Sequence, residues 1–228
     1  MRVVSLVPSV TETLRAWGVD PVACTRFCEQ PDLVHVGGTK DPDVAAVVGL
    51  RPDVVVVCVE ENRREDAEAL RAAGLRLVVL SIDSVDDVAP ALAELAAAVG
   101  AGPVELDLPA QDPAPRLRAF VPIWRRPWMS ISDGTYGASL LRRLGVANAF
   151  ADATDRYPEV DLDRAAARRA DVVLAPSEPY PFRERHVAEL ARVAPVVLVD
   201  GQDLFWWGAR TPAALARLGR QLDEVAAR

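Results

Sequence analysis

Lysine is nearly missing from this 228-residue sequence: of 26 basic residues, Lys40 is the one lysine and 25 are arginine. Against 33 acidic residues the net charge is −7, and no basic stripe is visible, so a nucleic-acid partner is not expected. No apolar run reaches the roughly 18–20 residues of a membrane-spanning helix, which argues against membrane insertion. Cysteine is limited to Cys24, Cys28 and Cys58, an odd number that does not suit a disulfide framework. The opening Met1-Arg2-Val3-Val4-Ser5-Leu6-Val7-Pro8 is too short for a signal-peptide core and lacks a small-residue cleavage site. On these grounds a cytosolic location with reduced thiols is expected. Catalytic signatures are missing as well: there is no GxSxG, P-loop, HExxH or GxGxxG. Histidine is confined to His35 and His186, the latter on a predicted helix where it reads as a surface or packing residue. Cys24-x3-Cys28 with His35 is not a complete zinc pattern, so no metal ligands are assigned, and Cys58 reads as core.

What is present is an α/β pattern: 50% of residues are hydrophobic, and short Val-rich runs alternate with amphipathic stretches. Strands are expected at Val3–Val7, Asp53–Cys58 and Leu75–Leu80. A helix capped by Ser9 runs to Trp17, another begins at Asp41-Pro42, a third spans Glu65–Ala73, and Ser84 with Asp87 opens one through Val99. Pro103, Pro109, Pro113 and Pro115 then break any helix, so 101–123 reads as a connection. The pattern restarts with strands at Trp128–Ser132, Asp171–Ala175 and Val196–Asp200. Helices are expected from Asp133 to Leu144, over Leu162–Arg169 and Arg185–Val193, and from Thr211-Pro212 onward. The boundaries are therefore an N-terminal lobe over 1–84, a connecting helix and Pro-rich linker over 85–123, a C-terminal lobe over 124–210, and a final helix over 211–228 that returns to brace the first lobe.

The halves answer each other. Arg51-Pro52-Asp53-Val54-Val55-Val56 matches Arg169-Ala170-Asp171-Val172-Val173-Leu174 at an offset of 171 − 53 = 118. A repeat of this kind predicts two Rossmann-like lobes with parallel sheets, related by pairing Val3–Leu80 with Trp128–Asp200, and a cleft between them. Ligands of parallel sheets sit beyond the carboxyl ends of the strands. The segments there supply Pro8, Ser9, Glu61, Asn62, Arg63, Tyr136, Tyr180, Trp206, Trp207 and Arg210 as candidate ligand-binding residues. Trp and Tyr offer broad faces, Ser9 and Asn62 offer hydrogen bonds, and Arg63 and Arg210 would discriminate for a carboxylate-bearing ligand.

Three segments carry a family resemblance: Val4-Ser5-Leu6-Val7-Pro8-Ser9-x-Thr11-Glu12, Gly37-Gly38-Thr39, and Leu50-Arg51-Pro52-Asp53-Val54-Val55-Val56. They resemble the cobalamin- and iron-siderophore-binding proteins of ABC importers. Glu60-Glu61-Asn62-Arg63, Ile123-Trp124-Arg125-Arg126-Pro127 and Ser177-Glu178-Pro179-Tyr180-Pro181-Phe182 look like the unexported branch, the helical-backbone metal receptors. The resemblance implies a periplasmic-binding-protein-like fold and a bound corrinoid such as cobalamin, carried as ligand with no catalytic cofactor. It implies an ABC permease as partner, docked through a carboxylate on each lobe, for which Glu65 and Glu184 are placed at an offset of 184 − 65 = 119. The chain departs from the importers in showing no export signal and in its Pro-rich stretch where they have a long spanning helix. The expected function is thus non-enzymatic binding of a corrinoid or related metal chelate. An iron-siderophore or haem receptor, or a cytosolic enzyme or regulatory module reusing the fold, are the alternatives.

Overall fold

A computed structural model of the chain describes residues 1–102, 105–109 and 112–227. Pro103, one of the prolines assigned to the connection, lies outside the described residues. The chain divides into two compact units. The first comprises 1–82, 86–106 and 207–209; the second comprises 83–85, 107–206 and 210–228. The helix expected to connect the lobes therefore belongs to the first unit. The final helix belongs to the second.

The first unit is built on a five-stranded parallel sheet. Its strands are β1 (Val3–Ser5), β2 (Ala23–Cys24), β3 (Val34–His35), β4 (Val54–Cys58) and β5 (Leu77–Leu80), in the order β3-β2-β1-β4-β5. Every residue of β4 is buried, as a strand covered on both faces should be. Val4, Leu6, Val55, Val57 and Leu70 share one core cluster. Helix α1 spans Pro8–Ala16 and starts one residue before the expected cap. Pro8 takes a first-turn position where a missing N–H costs nothing, and it holds Val7 in extended backbone, so Val7 is the cap and Ser9 lies inside the helix. Helix α2 (Val44–Gly49) is capped by Asp43, whose Oδ1 accepts from the Ala46 amide at 2.9 Å. Helix α3 spans Arg64–Ala72 with Glu65 and Asp66 in its first turn, where carboxylates suit the helix dipole. A 3-10 turn (Val85–Asp87) leads into α4 (Val88–Val99), which Gly100 ends in the left-handed conformation.

The second unit has a four-stranded parallel sheet and a small antiparallel one. The parallel sheet contains β6 (Leu117–Phe120), β9 (Val146–Asn148), β11 (Val172–Pro176) and β12 (Val196–Val199), ordered β12-β11-β6-β9. The antiparallel sheet joins β7 (Trp124–Arg125), β8 (Trp128–Met129) and β10 (Glu159–Val160). Phe120, Phe150, Val173 and Phe182 anchor the core of this unit. Its helices are α5 (Tyr136–Arg143), α6 (Leu162–Ala167), α7 (Glu184–Leu190), α8 (Gly201–Phe205) and α9 (Thr211–Ala226). Thr135, rather than Asp133, caps α5, its Oγ1 accepting from the Ala138 amide.

The repeat is real at the level of single hydrogen bonds, but its pairing differs from the one expected. The partner of β1 is β6, not Trp128–Ser132, which supplies only the two-residue β8 of a hairpin turned at Arg126-Pro127. Leu117–Phe120 sits just after Pro109, Pro113 and Pro115, and those prolines mask a strand whose own residues are ordinary strand formers. Asp53 accepts the Arg2 amide at 2.6 Å, and Asp171 accepts the Arg118 amide at 2.7 Å. The amides of Asp53 and Asp171 donate in turn to the carbonyls of Arg2 and Arg118, both at 2.8 Å. Arg51 and Arg169, each just past a helix end, are the two non-glycine residues with positive φ, at 47° and 51° among the described residues.

Candidate functional site

In each parallel sheet the chain reverses its direction of growth once, between β1 and β4 in the first unit and between β6 and β11 in the second. Such switch points open a crevice beyond the carboxyl ends of the two strands, which is where α/β sheets bind ligands.

At the first switch point stand Pro8 and Ser9, after β1, and Glu60 to Arg63, after β4. Asn62 does not offer its amide to a ligand, as the sequence suggests; it is buried and its groups are engaged. Its Oδ1 accepts from the Cys58 amide at 2.8 Å, and its Nδ2 donates to the carbonyls of Leu6 at 3.0 Å and Thr39 at 2.9 Å. One side chain thereby ties the ends of β1 and β4 to the Gly37–Lys40 loop. Lys40 adds to the tie, its Nζ donating to the Glu60 carbonyl at 2.8 Å. Ser9 is buried, and its Oγ has no hydrogen-bond partner among the described residues. Glu61 is half-buried and Arg63 is exposed, with its guanidinium 2.9 Å from Asp66. Beyond β2, Phe27 is 52% exposed, with the Arg26 guanidinium 4.8 Å from its ring centre.

The second switch point is aromatic. Trp124, in the hairpin that follows β6, is 44% exposed, and it meets Tyr180, which follows β11, edge to face at 5.6 Å between ring centres. Tyr180 continues the cluster to Phe182 at 4.8 Å and His186 at 5.5 Å, and Trp128 stacks on Phe182 at 6.0 Å. His186 is buried there, its Nδ1 accepting from the Arg183 amide at 3.0 Å; burial holds its pKa below the ordinary 6.5. Of the two roles its helix position allows, surface or packing, it takes the packing one.

Several expected ligand contacts are internal instead. Tyr136 is buried, its hydroxyl 3.0 Å from Thr211 Oγ1, and burial raises its pKa. Trp207 is only 3% exposed. It opens the short Trp207–Ala209 return to the first unit, where the Ala209 amide donates to Thr13 Oγ1 at 3.1 Å. Trp206 is half-buried under Arg210, whose guanidinium lies 5.3 Å from its ring centre. Arg210 also lies 3.7 Å from the buried Asp203, which receives Arg217 in two bonds of 2.6 Å. Arg63 is thus matched by Asp66, whereas Arg210 shares the single carboxylate of Asp203 with Arg217. Pro8, Ser9, Glu61 and Arg63 gather at the first switch point and Tyr180 at the second; Tyr136, Trp206 and Arg210 pack around α8 and α9 of the second unit.

The exposed aromatics Phe27 and Trp124 escape a reading based on strand ends, because the strands before them, β2 and β6, are the ones the sequence hides. The available signal is local: a Trp between Pro122 and Pro127, and a Phe in a turn between two cysteines. Among the described residues no group of three or more His, Cys, Asp or Glu converges as a metal cage. His35 is exposed, with Nε2 3.1 Å from the Gln30 carbonyl, whereas Cys24 and Cys28 are buried. Glu65 and Glu184 are both exposed in the first turns of α3 and α7.

No family model matches the chain. It is 22% identical over 242 residues to the vitamin B12-binding protein of Pectobacterium carotovorum, covering 97% of this chain and 86% of that one. Superposition on the periplasmic vitamin B12 binding protein BtuF of Vibrio cholerae gives a TM-score of 0.80 at 18% identity, over 100% of this chain and 98% of that one. The chain shares the fold of the vitamin B12-binding proteins. The resemblance to cobalamin-binding proteins carried by the sequence therefore holds, though not its unexported branch, and the α/β fold with parallel sheets is the expected one. The periplasmic haem-binding protein RhuT from Roseiflexus has the same fold, with a TM-score of 0.79 at 19% identity over 99% of this chain and 98% of that one. The relatives are binding proteins by name. The expectation of a cytosolic location is corrected: the solved structures of this fold are named as periplasmic proteins.

Proposed function

We propose that this chain is a non-enzymatic binding protein for a corrinoid or a closely related flat metal chelate. The observation that carries this reading is the second switch point, where a partly exposed Trp124 stands edge-on to Tyr180 at the mouth of a parallel sheet. A corrinoid is a broad ring edged with amides, and it needs aromatic faces with a few neutral hydrogen-bonding groups. Trp and Tyr provide such faces at small entropic cost. Haem and carboxylate siderophores need cationic partners instead. Of the two arginines on which that choice turns, Arg63 is already matched by Asp66, and Arg210 shares Asp203 with Arg217.

Tyr180 remains a ligand contact in this reading, joined by Trp124; on the first unit Pro8, Ser9 and Glu61 remain candidates at their own switch point, with Phe27 beyond β2. The periplasmic names of the solved relatives support a place outside the cytoplasm; the family resemblance adds delivery to an ABC permease, with Glu65 and Glu184 as docking carboxylates. The test is calorimetric titration with cobalamin, cobinamide, haem and a ferric siderophore, on wild type and Trp124→Ala. Cobalamin or cobinamide should bind far tighter than millimolar, and Trp124→Ala should weaken that binding by about 1–3 kcal/mol with the fold unchanged. Binding of haem or the siderophore in preference, or no binding at all, would overturn the assignment.

A further inference from the structure

We propose that Asp133-Gly134 is a modification site, at which the aspartate cyclises onto the following amide and reopens as isoaspartate, and that the fold spares Asp200-Gly201. These are the two places where the dipeptide Asp-Gly occurs in the sequence. In both, the missing Cβ leaves the amide nitrogen after the aspartate unshielded and its backbone free to turn toward the carboxyl group. The sequence ranks the two pairs equally; their surroundings do not. Asp133 and Gly134 are exposed in the turn before α5. Thr135 caps that helix, so the Asp133 carboxylate has no capping bond to make. It lies 3.9 Å from Arg142, whose guanidinium makes a closer contact of 3.2 Å with Asp112. Among the described residues the Gly134 amide donates to no acceptor. Apart from its chain neighbours, the nearest atom to the space a side chain would take at Gly134 is Ser132 Oγ, at 3.9 Å.

Asp200-Gly201 differs at each of these points. Asp200 is the cap of α8, its Oδ1 accepting from the Gln202 amide at 2.9 Å. Gly201 is buried, and its amide donates to Ser177 Oγ at 2.9 Å. The space beside it is filled by Glu178, whose amide nitrogen stands 2.5 Å from where a side chain would begin. Two hydrogen bonds would have to break, and Glu178 would have to move, before a ring could close there.

The reaction needs only water, and it balances. The Gly134 nitrogen gives up its proton and bonds to Cγ of the protonated Asp133 side chain, whose hydroxyl departs with that proton as water. A five-membered imide results. Water then adds to one of the two ring carbonyls, and the C–N bond at that carbonyl breaks. Opening at Cγ restores aspartate; opening at the main-chain carbonyl leaves the backbone running through Cγ, with a free α-carboxylate beside it. One water is lost and one regained, so isoaspartate has the mass of the original residue. The backbone gains one methylene between Ser132 and Thr135, the span closed by the Thr135 hydroxyl donating to the Ser132 carbonyl at 2.9 Å. That lengthening shifts the cap away from the first turn of α5.

The experiment holds the full chain folded at neutral pH and physiological temperature, and digests aliquots for mapping by mass spectrometry with fragmentation that separates isoaspartate from aspartate. Methyl transfer by an isoaspartyl methyltransferase measures the modified carboxylates independently. Isoaspartate should accumulate at position 133 about tenfold or more faster than at position 200, with the peptide mass unchanged. In guanidinium chloride, which removes the fold, the two rates should converge. Asp133→Glu, whose longer side chain cannot close the five-membered ring, should take most of the methyl acceptance away from the folded chain. Equal rates at the two pairs in the folded chain, a difference that survives unfolding, or no isoaspartate at position 133 would each overturn the proposal. Because the mapping uses wild type, its outcome decides the matter even if the variant fails to fold.

Discussion

At the switch point of the first sheet stands an amide, Asn62; at the equivalent place in the second stands a phenol ring, Tyr180. The two are 180 − 62 = 118 residues apart, the same offset that separates Arg51 from Arg169 and Asp53 from Asp171. Behind these positions the two sheets are wired alike, down to the carboxylate that accepts a backbone amide from the neighbouring strand. In front of them they diverge. The first unit uses its position to tie three segments together by hydrogen bonds, and so closes its crevice with polar bonds. The second unit fills its position with a ring that faces another ring, leaving apolar surface part-exposed. A repeated scaffold therefore leaves the residues at the strand ends free to differ, since those residues have no part in the sheet's own hydrogen bonding.

The comparison breaks most readily at Asn62. Asn62→Ala should destabilise the protein by about 3 kcal/mol, because it leaves the Cys58 amide and the Leu6 and Thr39 carbonyls without a partner at once. Urea unfolding reads this as a lower midpoint at unchanged slope, and a loss under about 1 kcal/mol would mean that the tie is dispensable. Smaller effects test the shared wiring. Asp53→Ala and Asp171→Ala should each cost about 1 kcal/mol, the scale of one hydrogen bond. If the two costs differ by much more than that, the repeat holds in geometry but not in energy. The smallest effect is expected at the helix ends. Arg51→Gly and Arg169→Gly relieve a left-handed side-chain conformation at positions that glycine usually fills. Each should raise stability by about 0.5 kcal/mol, and a lowered melting temperature for either would show that the arginine side chain contributes more than its backbone costs.

Long apolar runs are the legible part of this fold. Val54–Cys58 and Val172–Pro176 are continuous, wholly buried strands, and their repetition exposes the two-unit plan. Two-residue strands such as Ala23–Cys24 and Trp124–Arg125 are not legible, because so short an element has no period to detect. Leu117–Phe120 is hidden for a different reason: prolines upstream of a strand say nothing about the strand itself. At the site, position relative to the strand ends gathers Pro8, Ser9, Glu61 and Tyr180 near the switch points. It cannot tell that Asn62 turns inward, nor that Tyr136 and Trp207 are buried. Such outcomes depend on partners far away in sequence: Leu6 for Asn62 and Thr211 for Tyr136.

The contact of Lys40 with the Glu60 carbonyl has one more consequence. Because Lys40 is the sole lysine, a lysine-specific endoprotease has one peptide bond to address, Lys40–Asp41, in the loop tied down by Asn62 and by Lys40 itself. Scission there would part β1, β2 and β3 from β4 and β5, yet the pairing of β1 with β4 spans the cut. The two fragments share a sheet, so the chain carries a ready-made division into complementing halves, and the loop that would be severed is fastened by the side chain the enzyme must first pull free.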